Sequence, residues 1–329
     1  MHSMSFNDIE GHEGPLQILK RAIAHGTLAH AYLFSGESGI GKKMTALALA
    51  AAVNCHAASP DGGCGSCPSC RKVASGGHPD VHLLVAEGSE IKIDQVREAQ
   101  HDLALRPFEG NKKVLIVDGA EGLNAASSNA FLKTLEEPPG DALIILITAM
   151  PQSLLPTIRS RCQEVVFHLL PRHTLAAALV RKRGVSEEDA WFLAALAQGS
   201  LGRGIEMDVE AEKALRDEVL TLWSGLERLS PGETLHQAEA YGKDRERLER
   251  LLDVGTEWLR DAVVYRETGE ERLLVNGGRR DLLRQWCEHR SLPGMLLDLE
   301  LFMSSRKLLD RRVSAQLVAE NLLLKLGRV

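Results

Sequence analysis

The chain has 329 residues, 44% of them hydrophobic and 4% aromatic, with a formal net charge of −6. That is enough apolar material for two or three ordinary domains and excludes a largely disordered chain. The acidic balance argues against a protein that coats nucleic acid, although a local basic stripe could still meet phosphates.

Residues 7–30 read as a lead-in and a helix, with Leu16, Leu19, Ala22 and Ile23 at helical spacing. The short apolar run 31–34 follows, then Gly36-Glu37-Ser38-Gly39-Ile40-Gly41-Lys42-Lys43, then a helix-favouring stretch to Val53. Residues 54–79 carry cysteines among Gly, Pro and Ser, which predicts an irregular excursion rather than a packed element. A buried strand is predicted at 81–85, and a helix capped by Asp94 runs to Leu105. A strand over 113–118 ends in Asp118, and a helix from about Ala125 to Glu137 is stopped by Pro138-Pro139. Further strands are predicted at 142–148 and 164–167. Apolar strands alternating with helices indicate an α/β fold with a parallel sheet covered on both faces. After Pro171 the pattern is helical throughout. Short helices occupy 172–208, with Ser186 a cap and Gly199 a stop. Beyond them Leu248, Leu251, Leu252, Trp258, Leu259, Ala262 and Val263 trace one face of a long helix, with the charges at 243–247 its solvated start. The longest strongly apolar run, 142–147, is too short to span a bilayer, and 1–6 lacks the features of a signal peptide. A cytoplasmic protein with no membrane partner is expected.

Two patterns carry chemistry. Strand, glycine-rich turn, helix is the context of a phosphate-binding loop, in which Gly36, Gly39 and Gly41 let backbone N–H groups face an anion and Lys42 reaches the outer phosphates. The pattern calls for Ser or Thr next, to hold Mg²⁺, and the residue there is Lys43. Thr45 lies roughly 200° further round the helix and cannot substitute. Asp118 stands where a metal-organising carboxylate belongs, but Gly119 follows it in place of a water-positioning glutamate, and Glu121 comes three residues on. The second pattern is Cys55, Cys64, Cys67 and Cys70, whose thiolates suit a tetrahedral, structural zinc on a loop with little else to order it. His56 and His78 are rivals for one ligand position. Cys162 and Cys287 read as ordinary buried cysteines.

A resemblance then becomes specific. Asn129-Ala130-Phe131-Leu132-Lys133-Thr134-Leu135-Glu136-Glu137-Pro138-Pro139 closely resembles the helix signature of bacterial DNA polymerase III clamp-loader subunits. Thr157-Ile158-Arg159-Ser160-Arg161-Cys162 looks like their Ser-Arg-Cys motif, the four cysteines match their zinc module, and His30-Ala31-Tyr32-Leu33-Phe34 fits as well. The resemblance is firm over the first 205 residues. It implies an AAA+ core over 1–170 with a zinc module at 55–70, a helical lid over 171–208 and an all-α collar over 209–329 that holds a ring of subunits. It further implies that Thr148 is a first sensor position and Arg203, within Gly199-Ser200-Leu201-Gly202-Arg203-Gly204, a second sensor arginine, both at a vestigial ATP or ADP site. Arg161 would be an arginine finger offered to ATP on a neighbouring motor subunit. Motor subunits resemble GKT or GKS at the loop and Asp-Glu after the strand, so Lys43 and Gly119 mark a non-motor, non-hydrolysing subunit. The implied partners are motor subunits and the delta subunit, the sliding clamp indirectly or weakly, and primer–template DNA through the assembled complex. The rival readings are a motor-type ATPase hydrolysing ATP at its own degenerate loop, with Glu121 as the missing glutamate, and a zinc-dependent nucleic-acid-binding module.

Overall fold

The computed structural model describes residues 5–57, 59, 61–88, 90–226 and 228–327, so residues 1–4 of the N-terminal stretch read above lie outside it. The chain divides into two compact units, 1–174 with 199–202, and 175–198 with 203–329.

The first unit runs α1 (Glu13–Ala24), β1 (Ala31–Ser35), α2 (Lys42–Val53), α3 (Pro68–Ala74), β2 (Val81–Val85), α4 (Ile93–Ala104), β3 (Val114–Asp118), α5 (Ala125–Glu136), β4 (Leu143–Thr148), α6 (Pro156–Arg159) and β5 (Gln163–Val166). The strands form one parallel sheet in the order β2-β3-β4-β1-β5. Alternate side chains of a strand face opposite ways, and here both ways lead to a core. Tyr32, Phe34, Val114, Ile116, Leu143, Ile145 and Ile147 pack with α1 and α2 on one face. Ala31, Leu33, Leu115, Val117, Ile144 and Leu146 pack with residues of α4, α5 and α6 on the other. This double burial is why the central strands read as unbroken apolar runs.

Three expectations change. The 81–85 strand is an edge strand, with Leu83 44% and Val85 45% exposed, since β2 ends the sheet's strand order among the described residues. The cysteine stretch does contain a packed element, since α3 buries Ser69, Cys70 and Val73. Asp94 sits in the first turn of α4 rather than at its cap, which is Lys92, with Gln95 reaching back to the Lys92 N–H at 2.9 Å.

Two buried polar side chains wire the loop between α4 and β3. The Asp80 carboxylate, fully buried, accepts from the N–H groups of Phe108, Glu109 and Gly110 at 2.7, 2.9 and 2.7 Å and pairs with Lys113 Nζ at 2.9 Å. Asn54 Oδ1 accepts from Asn111 and Lys112 N–H groups, and its Nδ2 donates to the Lys112 carbonyl. These bonds satisfy main-chain groups that would otherwise be buried without partners.

The second unit begins within α7 (Arg172–Arg183) and continues through α8 (Glu187–Leu196). Later come α9 (Leu201–Glu206), α10 (Val209–Leu226), α11 (Pro231–Gly242), α12 (Arg245–Thr268), α13 (Arg280–Glu288), α14 (Leu292–Asp310) and α15 (Ala315–Leu326). Side-chain caps at Ser186, Ser230, Asp244 and Ser291 satisfy N-terminal N–H groups. The long helix α12 supplies Leu248, Leu251, Leu252, Trp258, Leu259 and Ala262 to a core that includes Trp223 and Phe302. Gly255 is needed there, since a Cβ on it would lie 2.1 Å from the Phe302 ring. Among the described residues no helix is long and apolar enough to cross a membrane.

Burial alone would raise the Asp80 pKa, but the three N–H groups and Lys113 outweigh it and hold the carboxyl well below the usual carboxylate range. A folded-state pKa below the unfolded value means stability that is complete above about pH 4 and lost as pH falls toward the folded pKa. Asp80→Ala is expected to cost about 3 kcal/mol at neutral pH by stranding Lys113 and three N–H groups. Urea unfolding should show that deficit shrinking on acidification below about pH 4.

Candidate functional site

The parallel register brings the predicted nucleotide residues to one edge of the sheet. Ser35, the last residue of β1, is paired with Thr148, and Asp118 with Ile147, so the loop after β1, Thr148 and Asp118 share the carboxyl ends of the strands. Gly36 leaves β1 with φ 139°, and a Cβ there would lie 2.3 Å from the Phe167 carbonyl oxygen. Gly41 caps α2 at φ 109°. Both positions require glycine.

The carbonyls of residues 36–41 are all engaged. Lys42 Nζ donates to the Gly36 and Glu37 carbonyls at 2.5 Å each. Ser200 Oγ donates to the Ser38 carbonyl, the Gly202 N–H to Gly39, and the Ile40 carbonyl accepts from His12 Nε2 at 2.6 Å. Thr45 Oγ1 donates to the Gly41 carbonyl at 3.0 Å. A glycine-rich turn at a helix N-terminus is the kind of backbone that holds anions. Gly202 must be glycine for this approach, because a Cβ would meet the Gly39 oxygen at 2.9 Å.

Charge at the site differs from that of a metal-dependent loop. Lys43 Nζ lies 3.1 Å from Asp118 Oδ2. An ammonium therefore neutralises the carboxylate that would otherwise organise Mg²⁺. Lys42 is only 6% exposed, and burial lowers its pKa against the pull of Glu121, Glu37 and Asp118. Glu121 Oε2 is buried without a hydrogen-bond partner. Thr148 is buried, and its Oγ1 accepts from the Met150 N–H at 3.0 Å. Arg203 belongs to the second unit, where it pairs with Asp253 at 3.0 Å and lines a cavity of about 440 Å³ with Arg250 and Arg306.

Cys55, Cys64, Cys67 and Cys70 converge, with all four Sγ atoms within 4.8 Å of one another. A tetrahedral site with Zn–S near 2.3 Å needs S···S edges of about 3.8 Å, and Cys55 Sγ and Cys67 Sγ are 3.9 Å apart. Main-chain N–H groups of Ala57, Cys64, Cys67 and Cys70 point at the sulfurs of Cys55, Cys55, Cys64 and Cys67. Such donors stabilise thiolates, so the cluster could hold a metal such as zinc. The Ser66 hydroxyl and neighbouring N–H groups bring Cys64 down to about 5, while burial pushes Cys55 and Cys70 up. His78 is not a rival ligand. It is buried with Nε2 3.0 Å from Ser69 Oγ and Nδ1 accepting from the Asp80 N–H, and the four-residue cluster does not include it or His56.

Arg161 lies at the other edge of the sheet. It precedes β5 by two residues, and β5 runs parallel to β1, so four strand residues at about 3.3 Å each separate it from the edge that carries the loop. Its Nη1 donates to the Thr157 carbonyl at 2.9 Å and its Nη2 pairs with Glu136 Oε1 at 2.7 Å. Arg159 is exposed. Cys162 is half-buried, and burial pushes its thiol up to about 12, while Cys287 is buried against the Ala262 carbonyl. Sequence reasoning missed His12, Ser200 and Gly202 as loop fasteners and Glu136 as the partner of Arg161. Ser200, Gly202 and Glu136 lay within quoted signatures, but their contacts, like that of His12, come together through long-range packing.

A parallel sheet with a phosphate-type loop after its first strand, flanked by helices and followed by a helical region, defines an AAA+ module. A family model described as DNA polymerase III, delta subunit, matches residues 11–171. The delta′ subunit of DNA polymerase III from Bacillus subtilis is 30% identical over 94% of this chain and 94% of its own length. That from Pseudomonas aeruginosa is 31% identical over 86% and 87%. A DNA polymerase III gamma subunit-related protein of Thermotoga maritima has the same fold, with a TM-score of 0.51 at 18% identity over 95% of this chain and 98% of that one. The chain belongs to the delta′ subunit family of the DNA polymerase III clamp loader.

The sulfur cluster gives a direct expectation. Protein purified without chelator should carry one equivalent of zinc by elemental analysis, and Cys67→Ser should drop the content well below that and lower the thermal midpoint. Full occupancy in the Cys67→Ser protein would remove the cluster from consideration.

Proposed function

We propose that the chain is a non-hydrolysing clamp-loader subunit that presents Arg161 to the ATP of a neighbouring motor subunit and helps load a sliding clamp onto primed DNA. The observation that carries the reading is the Lys43–Asp118 pair, 3.1 Å apart, which places a fixed positive charge on the metal-organising carboxylate. With Gly119 after Asp118, neither the metal position nor the water-positioning glutamate of a hydrolase is furnished. Glu121 stands three residues past Asp118, not in the adjacent position that a water-positioning glutamate commonly takes. The loop then serves as inherited scaffold, with Arg203 and Thr148 its vestigial sensors and any ATP or ADP at most weakly held.

Arg161 supports the second half of the reading. A guanidinium at the edge opposite the chain's own loop has no phosphate of its own to serve, and it is partly exposed and oriented. Near a γ-phosphate it would stabilise charge spread over the oxygens in the transition state. The partners are the motor subunits, to which gamma/tau relatives such as that of Mycobacterium tuberculosis, 36% identical over 57% of this chain, correspond. The delta subunit and, through the ring, clamp and primer–template DNA complete the set, with residues 171–208 a lid and 209–329 a collar that holds the ring. The cysteine module carries a structural zinc, since four thiolates leave no open coordination position.

The isolated chain is expected to show no ATP turnover above that of its Lys42→Ala variant. Turnover that vanishes with Lys42→Ala would establish the motor-type alternative instead. In the reconstituted complex, Arg161→Ala is expected to lower clamp- and DNA-stimulated turnover at the abutting motor site by ~10³ with assembly intact. An unchanged rate would reject the finger.

A further inference from the structure

Glu136 is an anion in an unfavourable place. It is the last residue of α5, where exposed carbonyls disfavour negative charge, and Pro138-Pro139 follow it. Its side chain is half-exposed, and its ion-pair partner is Arg161 Nη2 at 2.7 Å. The guanidinium is planar and its donors point in fixed directions, so two separated acceptors define its plane. Those acceptors are the Thr157 carbonyl, bonded to Nη1 at 2.9 Å, and Glu136. Ser160 Oγ lies a further 3.4 Å from Nη1. Thr157 and Ser160 sit on the arginine's own local turn, whereas Glu136 reaches it from a different helix. Only Glu136 therefore ties the arginine's head to the rigid core, where α5 buries Phe131 and Leu135.

We propose that Glu136 is a positioning residue for Arg161, setting the plane in which the guanidinium is presented to an anionic phosphate group on a neighbouring subunit. The proposal rests on the reading of Arg161 as a finger. A half-exposed pair adds little to stability, so the contact's value lies in geometry. A long arginine side chain left with only its local contacts samples other rotamers, and small misplacements of a reacting or stabilising group cost large factors in rate. Glu136 touches no phosphate in this scheme. It acts only through Arg161.

The test uses the complex reconstituted from motor subunits, delta and this chain, with assembly checked by size-exclusion chromatography. Stimulated ATP turnover is measured with Arg161→Ala, Glu136→Gln, Glu136→Ala and the double variant Glu136→Ala/Arg161→Ala, separating kcat from KM. Glu136→Ala is expected to lower kcat roughly tenfold with KM for ATP little changed. Glu136→Gln, which keeps an acceptor but loses the charge-assisted bond, should fall between it and wild type. The double variant should be no slower than Arg161→Ala alone, because a residue that works through another loses its effect when that other is gone. Loss with Arg161→Ala but an unchanged or faster rate with Glu136→Ala would overturn the positioning role and leave the finger standing. A double variant slower than Arg161→Ala would also overturn it. No effect of Arg161→Ala would remove the finger reading itself, and this inference with it.

Discussion

The polarity of the parallel sheet is the constraint on which the first unit depends. Because every paired strand runs the same way, all carboxyl ends fall on one edge and all amino ends on the other. Groups that follow strands, the phosphate-type loop and Asp118 among them, gather at the first edge. Groups that precede strands, Arg161 ahead of β5 and Glu136 ahead of β4, gather at the second. The register is held by side chains buried on both faces, where a slip of one residue would exchange the two faces of each strand. The same apolar packing that fixes the fold thus separates a phosphate cradle from an exposed arginine by the height of the sheet.

At the cradle, one substitution changes the chemistry more than the shape. The carbonyls of residues 36–41 are held by Lys42, Ser200, Gly202, His12 and Thr45. The carboxylate that ends β3, Asp118, is paired with Lys43. Lys43 carries one tethered charge where a metal would bring two and open coordination positions for phosphate oxygens, and an ammonium cannot organise an attacking water as a metal site does. The loop thus has the backbone geometry of a phosphate-binding turn together with a charge arrangement unlike that of a metal-dependent one.

Much of this was legible in the sequence, and for physical reasons. Strands buried on both faces leave unbroken apolar runs, the glycines at 36 and 41 record backbone angles that other residues avoid, and close-spaced cysteines record a cluster. What was not legible depends on partners far apart in the chain. The exposure of Leu83 and Val85 follows from strand order, which local pattern does not encode. The nearness of His78 to the cysteines in sequence suggested a ligand, but Ser69 and Asp80 claim both its nitrogens. Lys43 could be seen to spoil a metal site, yet its pairing with Asp118 spans 75 positions and needed the sheet register to appear.

The two edges also differ in how their charges are restrained, and that difference bears on function. Lys42 is buried and held by two carbonyls of its own loop, so moving it toward a ligand means giving up both bonds in a poorly hydrated place. Arg161 is partly exposed; Nη1 bonds Thr157 and Ser160 and Nη2 pairs with Glu136, while among the described residues no bond is made by Nε. A cation that must break bonds to act is a structural element, whereas one that acts with its bonds intact is preorganised for electrostatic stabilisation, which requires no reorganisation at the moment of reaction. On that criterion Lys42 is held as part of its own loop, whereas Arg161 is held by Glu136 and Thr157 at a partly exposed position.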